Sequence, residues 1–446
     1  MSIKGEDNRS IVTNFNVDGI DAVVGIDLLY PVPIPNSDVV TNVSTGSLIA
    51  PNYVLTAGHV IFKESKAKVR LGEDAVVLSS RSRTPILNFN TTNFSYPAPG
   101  FNGNDRSGIG GKDLGLITLN QPIGKPSQYI GLAAFVDPQD AQNFQVTTAG
   151  FPGSVEDTDF STNEDGTVNL QESASKNAQF LITDENGIPS ESLLKPSGVS
   201  FLTDAVKMFT ATGTIDSVNS DGQFSLNETL DAEQGQSGSG FWTYLEGDTV
   251  PRLVGVYSAS GGLFKDNIGA LITTDAYDNI VKTMRSSGGS NLTGKDLPES
   301  AIIGSGENDT IKGSYLRERI LGNEGQDTIS AGEADDRLEG GAGYDVLKGE
   351  KGNDRLQGDG ASDFLNGGEG NKDIAVFSDE YTTENYKYEE ISGSTFGVVD
   401  DLITIGDKLS LNPLCQEGLG DKSRGGLTRL GRGDLTIPKS RFSGAV

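Results

Sequence analysis

The sequence predicts an all-β protein in two parts: a barrel or sandwich of short strands, then a region of nine-residue repeats. Three observations predict it. Between Ile20 and about Met284, short apolar stretches alternate with clusters of Gly, Pro, Asn and Asp, the pattern of strands joined by turns. One stretch there, Thr274–Arg285, spaces its apolar residues Ala276, Tyr277, Ile280 and Val281 for a helix. From Gly304 the chain repeats every nine residues, eight times, with an apolar residue at the eighth position of every copy.

Taken in order, residues 1–19 read as a polar arm and residues 20–285 as the barrel-forming part. Strands are expected at Asp21–Leu29, Gly46–Thr56, Lys68–Leu71, Asp113–Leu119, Gln145–Ala149, Met208–Ile215 and Leu253–Tyr257. So many short strands with so few helices favour a barrel or sandwich. Residues 286–300, rich in Gly and Ser, read as a linker. The repeats occupy 301–377. Their eighth positions are Ile311, Ile320, Ile329, Leu338, Leu347, Leu356, Leu365 and Ile374. Their sixth positions are Asp309, Glu318, Asp327, Asp336, Asp345, Asp354, Asp363 and Lys372. Residues 378–446 give no clear structural signal, and from Lys408 the tail turns basic, net +4.

Charge and composition narrow the partners. The chain has 446 residues, 62 acidic and 35 basic, for a net −27. A nucleic-acid partner needs a basic footprint, so that balance excludes one. No run of 18 apolar residues predicts a membrane span. Met1–Phe15 has no apolar core or cleavage site of a Sec-type signal. The single cysteine, Cys415, allows no intrachain disulfide, so stability rests on packing or on metal. Glycine makes up about 13% of the chain, against an average near 7%. Glycine and carboxylate in joint excess point to Ca²⁺, a hard cation that takes oxygen ligands from tight turns.

The repeat has the chemistry for that ion. Glycines at positions one, two and four allow turns with positive φ and expose carbonyl oxygens. The sixth-position aspartate adds a carboxylate, and the apolar eighth residue fills a narrow interior. Neither set forms a stable structure alone, so metal binding and folding should be one event. A flexible Gly/Asp-rich linker would not keep an apolar column through eight copies. Asp309, Asp327, Asp336, Asp345, Asp354 and Asp363 are the expected calcium ligands. Copies containing Glu318 with Leu316, Ala331 with Ala334, and Lys372 ahead of Asp373 are expected to bind less well. Gly340–Lys348 matches G-G-x-G-x-D-x-U-x at every fixed position and resembles the nonapeptide of the RTX calcium-binding β-roll.

The protein has a single histidine, His59. A lone histidine is more often incidental than functional, but here the neighbourhood argues otherwise. Thr56-Ala57-Gly58-His59 resembles the histidine box of trypsin-like serine proteases. Asp113 opens the apolar stretch ending at Leu119, and Gly235-Gln236-Ser237-Gly238-Ser239-Gly240 follows. The order His, Asp, Ser is that of chymotrypsin, not of subtilisin or the α/β-hydrolases. Thr148–Gly153 looks like the G-[YF]-P-G turn of the bacterial glutamyl-endopeptidase branch. Leu253–Ser258 looks like the strand lining the substrate cleft, and Asn267–Ala270 with the closing helix matches the end of that fold.

The resemblance covers about 20–285 and implies a double β-barrel. It implies that Ser237 is the nucleophile, His59 the general base and acid, and Asp113 the group that orients the imidazole. Gly235 and Ser237 N–H groups would form the oxyanion hole. Ser239 competes as nucleophile, but G-x-S-G favours Ser237. Read without the resemblance, Asp113 is a strand-capping aspartate and Ser237 part of a Gly/Ser loop. Asp231, six residues before Ser237, stands where trypsin-like enzymes place the carboxylate that selects Arg or Lys, and Ser258 lines the same cleft. Tyr257 stands where glutamyl specificity would need a histidine. Gln236 replaces an aspartate that pairs with a freed N-terminus in that family, which argues against activation at Arg9–Val12. Residues 154–204 form an acidic insertion to which the sequence gives no role.

These readings converge on a secreted, calcium-dependent serine endopeptidase acting on peptide or protein substrates. It would be exported through a type I secretion channel and fold outside the cell in calcium. The alternative is a calcium-binding adhesion or surface-layer protein with an inactive protease-like domain.

Overall fold

A computed structural model describes residues 9–31, 38–61, 66–71, 87–90, 94–95, 112–119, 122–151, 181–183, 208–226, 230, 236–259, 267–287, 292, 297–360, 363–370, 373–376, 390–392, 396–398, 428–430 and 434–436. Cys415, most of 154–204 and most of 377–446 lie outside them. The chain forms two compact units, residues 1–132 with 141–289, and residues 133–140 with 290–446.

The first unit is built from antiparallel sheets. One joins β2 (Val23–Pro31), β3 (Asp38–Ala50), β4 (Tyr53–Thr56), β5 (Lys66–Leu71), β6 (Leu87–Asn90), β7 (Phe94–Ser95) and β8 (Gly115–Thr118) in the order β6-β5-β2-β3-β4-β8-β7. The expected strand Gly46–Thr56 is a hairpin. Pro51 and Asn52 turn the chain, Leu48 pairs with Val54, and the Asn52 side chain donates to Leu119 O. A short helix, α1 (Gly58–Ile61), follows β4.

The other sheet closes on itself. β10 (Gln145–Gly150), β12 (Phe209–Val218), β13 (Gln223–Leu226), β16 (Asn267–Leu271), β15 (Arg252–Ala259) and β14 (Gly240–Thr243) pair in that order, and β14 returns to β10. Closure removes exposed edges. Phe224, Phe241 and Tyr257 pack inside, with ring centroids 5.3 Å apart for the first pair and 6.3 Å for the second.

The predicted helix is α2 (Thr274–Ser286), capped by Thr273, whose side chain accepts from Ala276 N–H. Its buried face is Ala276, Tyr277, Ile280, Val281 and Met284, and Tyr53 Oη donates to Met284 O at 3.0 Å. The expected polar arm is partly structured. β1 (Ser10–Ile11) pairs antiparallel with β12, Val12 N–H donates to Met208 O, and the Arg9 guanidinium stacks over Phe209.

The second unit is a parallel coil. Strands alternate between two sheets, so each pairs with the strand two copies away. One sheet stacks Ile302, Ile320, Leu338 and Leu356 in register, and the other Ile311, Ile329, Leu347 and Leu365. Every repeat member of these stacks is at most 2% exposed, so the apolar column is the interior of the roll. The last copy departs from expectation. Ile374 is not part of the column; Ala375 takes its place, fully buried and paired with Leu356. The extra residue before Asp373 moves the inward position by one, and a one-residue shift reverses which side chain faces in. Strands Glu390–Ser392 and Phe396–Val398 continue the parallel pairing beyond residue 377.

Candidate functional sites

Asp113 precedes β8 and is fully buried, at 0% exposure. A buried carboxylate demands donors. His59 N–H donates to Oδ1 at 2.8 Å, His59 Nδ1 lies 2.6 Å from Oδ2, and the Ser258 hydroxyl donates to Oδ2 at 2.5 Å. His59 N–H is available because it falls in the first turn of α1, where backbone donors lack helical partners. A carboxylate accepts only, so Nδ1 carries a proton directed at Asp113. The imidazole side chain is 29% exposed, whereas the Asp113 side chain is fully buried.

Ser237 and Gly238 form a tight turn between Gln236 and Ser239. Gly238 has φ +81°, and a Cβ there would lie 2.0 Å from Thr56 Oγ1 and 2.3 Å from Thr45 O. The turn is held by Thr45 N–H to Ser237 O at 3.0 Å, Gly238 N–H to Tyr257 O at 2.8 Å and Tyr257 N–H to Ser239 O at 2.7 Å. Thr56 lies three residues before His59, and Tyr257 immediately precedes Ser258. Thr56 Oγ1 donates to Thr45 O at 2.7 Å, so the turn is bonded directly to the strand that carries Ser258 and, only through Thr45, to the strand that leads into His59.

The two serines differ. Ser237 is partly exposed. Ser239 is buried at 1%, and a methyl at Gly150 would meet its Oγ at 2.0 Å. Among the described residues that hydroxyl has no hydrogen-bond partner. Asp231 and Gly235 lie outside the described residues. Among the described residues, Tyr257 Oη donates to Asn267 Oδ1 at 3.2 Å, and Asn267 Nδ2 donates to Leu230 O at 2.5 Å. Sequence reasoning placed Ser258 in the substrate cleft and missed both its bond to Asp113 and the Asn267 contact. The only available sign was that both residues sit in apolar strand segments.

The repeats present a second set of functional groups. Each sixth-position carboxylate from Asp327 to Asp363, and then Asp373, accepts through Oδ1 the backbone N–H of the sixth residue two copies earlier, as in Asp327 N–H to Asp345. Oδ2 of Asp327, Asp336, Asp345, Asp354 and Asp373 is buried with no hydrogen-bond partner among the described residues. A Cβ on Gly322 would lie 2.2 Å from Gly340 O and 2.5 Å from Asp327 Oδ2. Gly349 forms the same cradle, with Asp354 Oδ2 at 2.3 Å and Gly367 O at 2.6 Å.

Bare carboxylate and carbonyl oxygens converging on one point suit a hard cation. Among the described residues no three His, Cys, Asp or Glu side chains cluster to hold a metal, so an ion here would take one sixth-position carboxylate per copy together with backbone carbonyls. Burial pushes the Asp345 carboxyl up to about 6 and Asp354 up to about 7. Burial and the neighbouring Glu318 push Asp336 up to about 10. Charge in these places needs a counter-cation.

Residues 32–186 match the trypsin family model, a span that includes His59 and Asp113 and ends before Ser237. Residues 313–347 and 345–371 match the model of the RTX calcium-binding nonapeptide repeat. No curated protein matches the chain. Among solved structures the chain is similar to a Glu endopeptidase in complex with MPD, at 18% identity over 63% of this chain and 97% of that one, with TM-score 0.39. It is also similar to a scabies mite inactivated protease paralogue, S-D1, at 15% identity over 60% and 93%, with TM-score 0.36. The chain thus carries a trypsin-like serine protease domain followed by RTX calcium-binding repeats.

Proposed function

We propose that this protein is a secreted, calcium-dependent serine endopeptidase that cleaves through an acyl-enzyme. The hydrogen-bonded chain Ser258–Asp113–His59, together with the partly exposed Ser237 whose turn is bonded to Thr45 and Tyr257, supports the reading. Ser237 Oγ is a weak nucleophile at neutral pH. His59 Nε2 takes its proton as the peptide carbonyl is attacked and returns it to the leaving amine. Asp113 fixes the tautomer and stabilises the imidazolium. Ser258 positions Asp113. The N–H groups of Gly235 and Ser237 bind the oxyanion, at roughly 3 kcal/mol per donor. Asp231 selects Arg or Lys at the cleaved bond by pairing with its side chain.

Asp327, Asp336, Asp345, Asp354 and Asp363 with neighbouring carbonyls hold Ca²⁺, which neutralises their charge and ties successive turns together. Low calcium keeps the roll unfolded for export through a type I channel, and external calcium folds it.

Peptides differing only in Arg, Lys or Glu before the cleaved bond test the activity. The wild-type protein in calcium should prefer Arg and Lys, and Asp231→Ser should remove that preference. Hydrolysis of none of the three would refute the endopeptidase reading. An unchanged Arg-over-Glu ratio in Asp231→Ser would refute the assignment of Asp231 alone. Ser258→Ala should lower kcat by about 10- to 100-fold with KM little changed, the range expected for losing a hydrogen bond to a charged group.

A further inference from the structure

The eight repeats are not equivalent. The position-six residues form two ladders, one starting at Asp309 and the other at Glu318. Every later member accepts a backbone N–H from the turn before it. The two leading carboxylates have no earlier repeat to donate to them, and serines take that place. Ser305 N–H and hydroxyl both donate to Asp309 Oδ2, at 2.6 and 2.9 Å. Ser314 N–H donates to Glu318 Oε2 at 3.2 Å, and its hydroxyl donates to Oε1. Each serine oxygen also accepts a backbone N–H two residues on, from Glu307 at 3.1 Å and Leu316 at 3.0 Å. Serine occupies the second position of these two copies and of no other.

Backbone geometry separates the same two turns independently. The second position is left-handed in the six later copies: Asn323, Gly332, Gly341, Glu350, Asp359 and Gly368 have φ between +66° and +108°. Ser305 and Ser314 are not in that region, nor are Glu307 and Leu316 at position four, where Gly325, Ala334, Gly343 and Gly352 have φ between +96° and +149°. The cradle differs as well. The three atoms nearest a Cβ on Gly304 or Gly313 are all backbone, with no carboxylate oxygen among them. Neither Asp309 nor Glu318 has an oxygen among the buried unpartnered atoms.

We infer that the first two turns of the roll hold no calcium and are closed by serine–carboxylate hydrogen bonds, forming a metal-independent cap on which the calcium-holding turns stack. The inference rests on the calcium reading above and removes Asp309 from the expected ligands. A cap that needs no ion gives the later turns an ordered partner before any calcium arrives, so the first ion meets half of its site already in place.

Equilibrium dialysis of the full-length chain against ⁴⁵Ca²⁺ counts the bound ions. Asp309→Asn with Glu318→Gln should bind as many ions as wild type, whereas Asp345→Asn should lose at least one. Ser305→Ala with Ser314→Ala gives a second count should the first variant fail to fold, and it too should match wild type. In calcium-free buffer, hydrogen exchange at the Ser305 and Ser314 amides should be slowed in wild type and at least 10-fold faster in the serine variant. Loss of an ion from either double variant, or unprotected wild-type amides, would overturn the cap. A wild-type chain that binds no calcium would overturn the calcium reading itself, a distinguishable result.

Discussion

Ser237→Ala is expected to lower kcat for a peptide substrate by about 10⁶-fold, the scale seen when the nucleophile of a hydrogen-bonded triad is removed. Ser239→Ala is expected to change kcat by less than 10-fold. The contrast follows from burial, since both hydroxyls sit in one Gly/Ser turn. Ser239 points at Gly150 in the interior, where no substrate carbonyl can reach it. Ser237 is partly exposed and held by backbone bonds from Thr45 and around Tyr257. Steady-state kinetics on the two purified variants, each checked for native circular dichroism, decides it. Equal losses would refute the assignment of the nucleophile.

Chelation is expected to unfold the repeats beyond the cap. Each ion site bound at 100 times its Kd contributes about 2.7 kcal/mol. A few such sites match the whole stability of a typical domain, 5–15 kcal/mol. Without cations the Oδ2 atoms of Asp327, Asp336, Asp345, Asp354 and Asp373 are buried with no hydrogen-bond partner among the described residues, which makes their charged forms costly. Adding EGTA should abolish hydrogen-exchange protection across 322–376, and Ca²⁺ should restore it. Mg²⁺, which demands a small octahedral shell and gives up water reluctantly, should not restore it at the same concentration. Protection that survives chelation would contradict calcium-coupled folding.

Much of this architecture is visible in the sequence because it depends on local chemistry. The apolar eighth position fixes which side chain faces into the roll, and the stacks from Ile311 to Leu365 follow it. It fails at Ile374, where one inserted residue reverses facing; pattern counting does not register a shift of one. The helix is legible from spacing and its threonine cap. The Pro51–Asn52 hairpin was obscured by apolar residues on both sides of the turn.

At the protease site, His59 and Asp113 could be paired from motif order, and they are hydrogen-bonded. The Ser258 bond to Asp113 spans 145 residues, and no local pattern encodes so distant a contact. The serine closures at Ser305 and Ser314 look, in sequence, like two more imperfect repeats. Only φ values and hydrogen-bond partners set them apart from the later copies, which is the basis for inferring a metal-free cap.

The central claim is that His59 and Asp113 activate Ser237. Reacting the full-length protein in calcium with a fluorophosphonate, then locating the adduct by peptide mass spectrometry, tests it most directly. The expected result is a single adduct on Ser237 that is lost in His59→Ala. No adduct, or one on Ser239, would contradict the claim and favour a calcium-binding adhesion protein with an inactive protease-like domain.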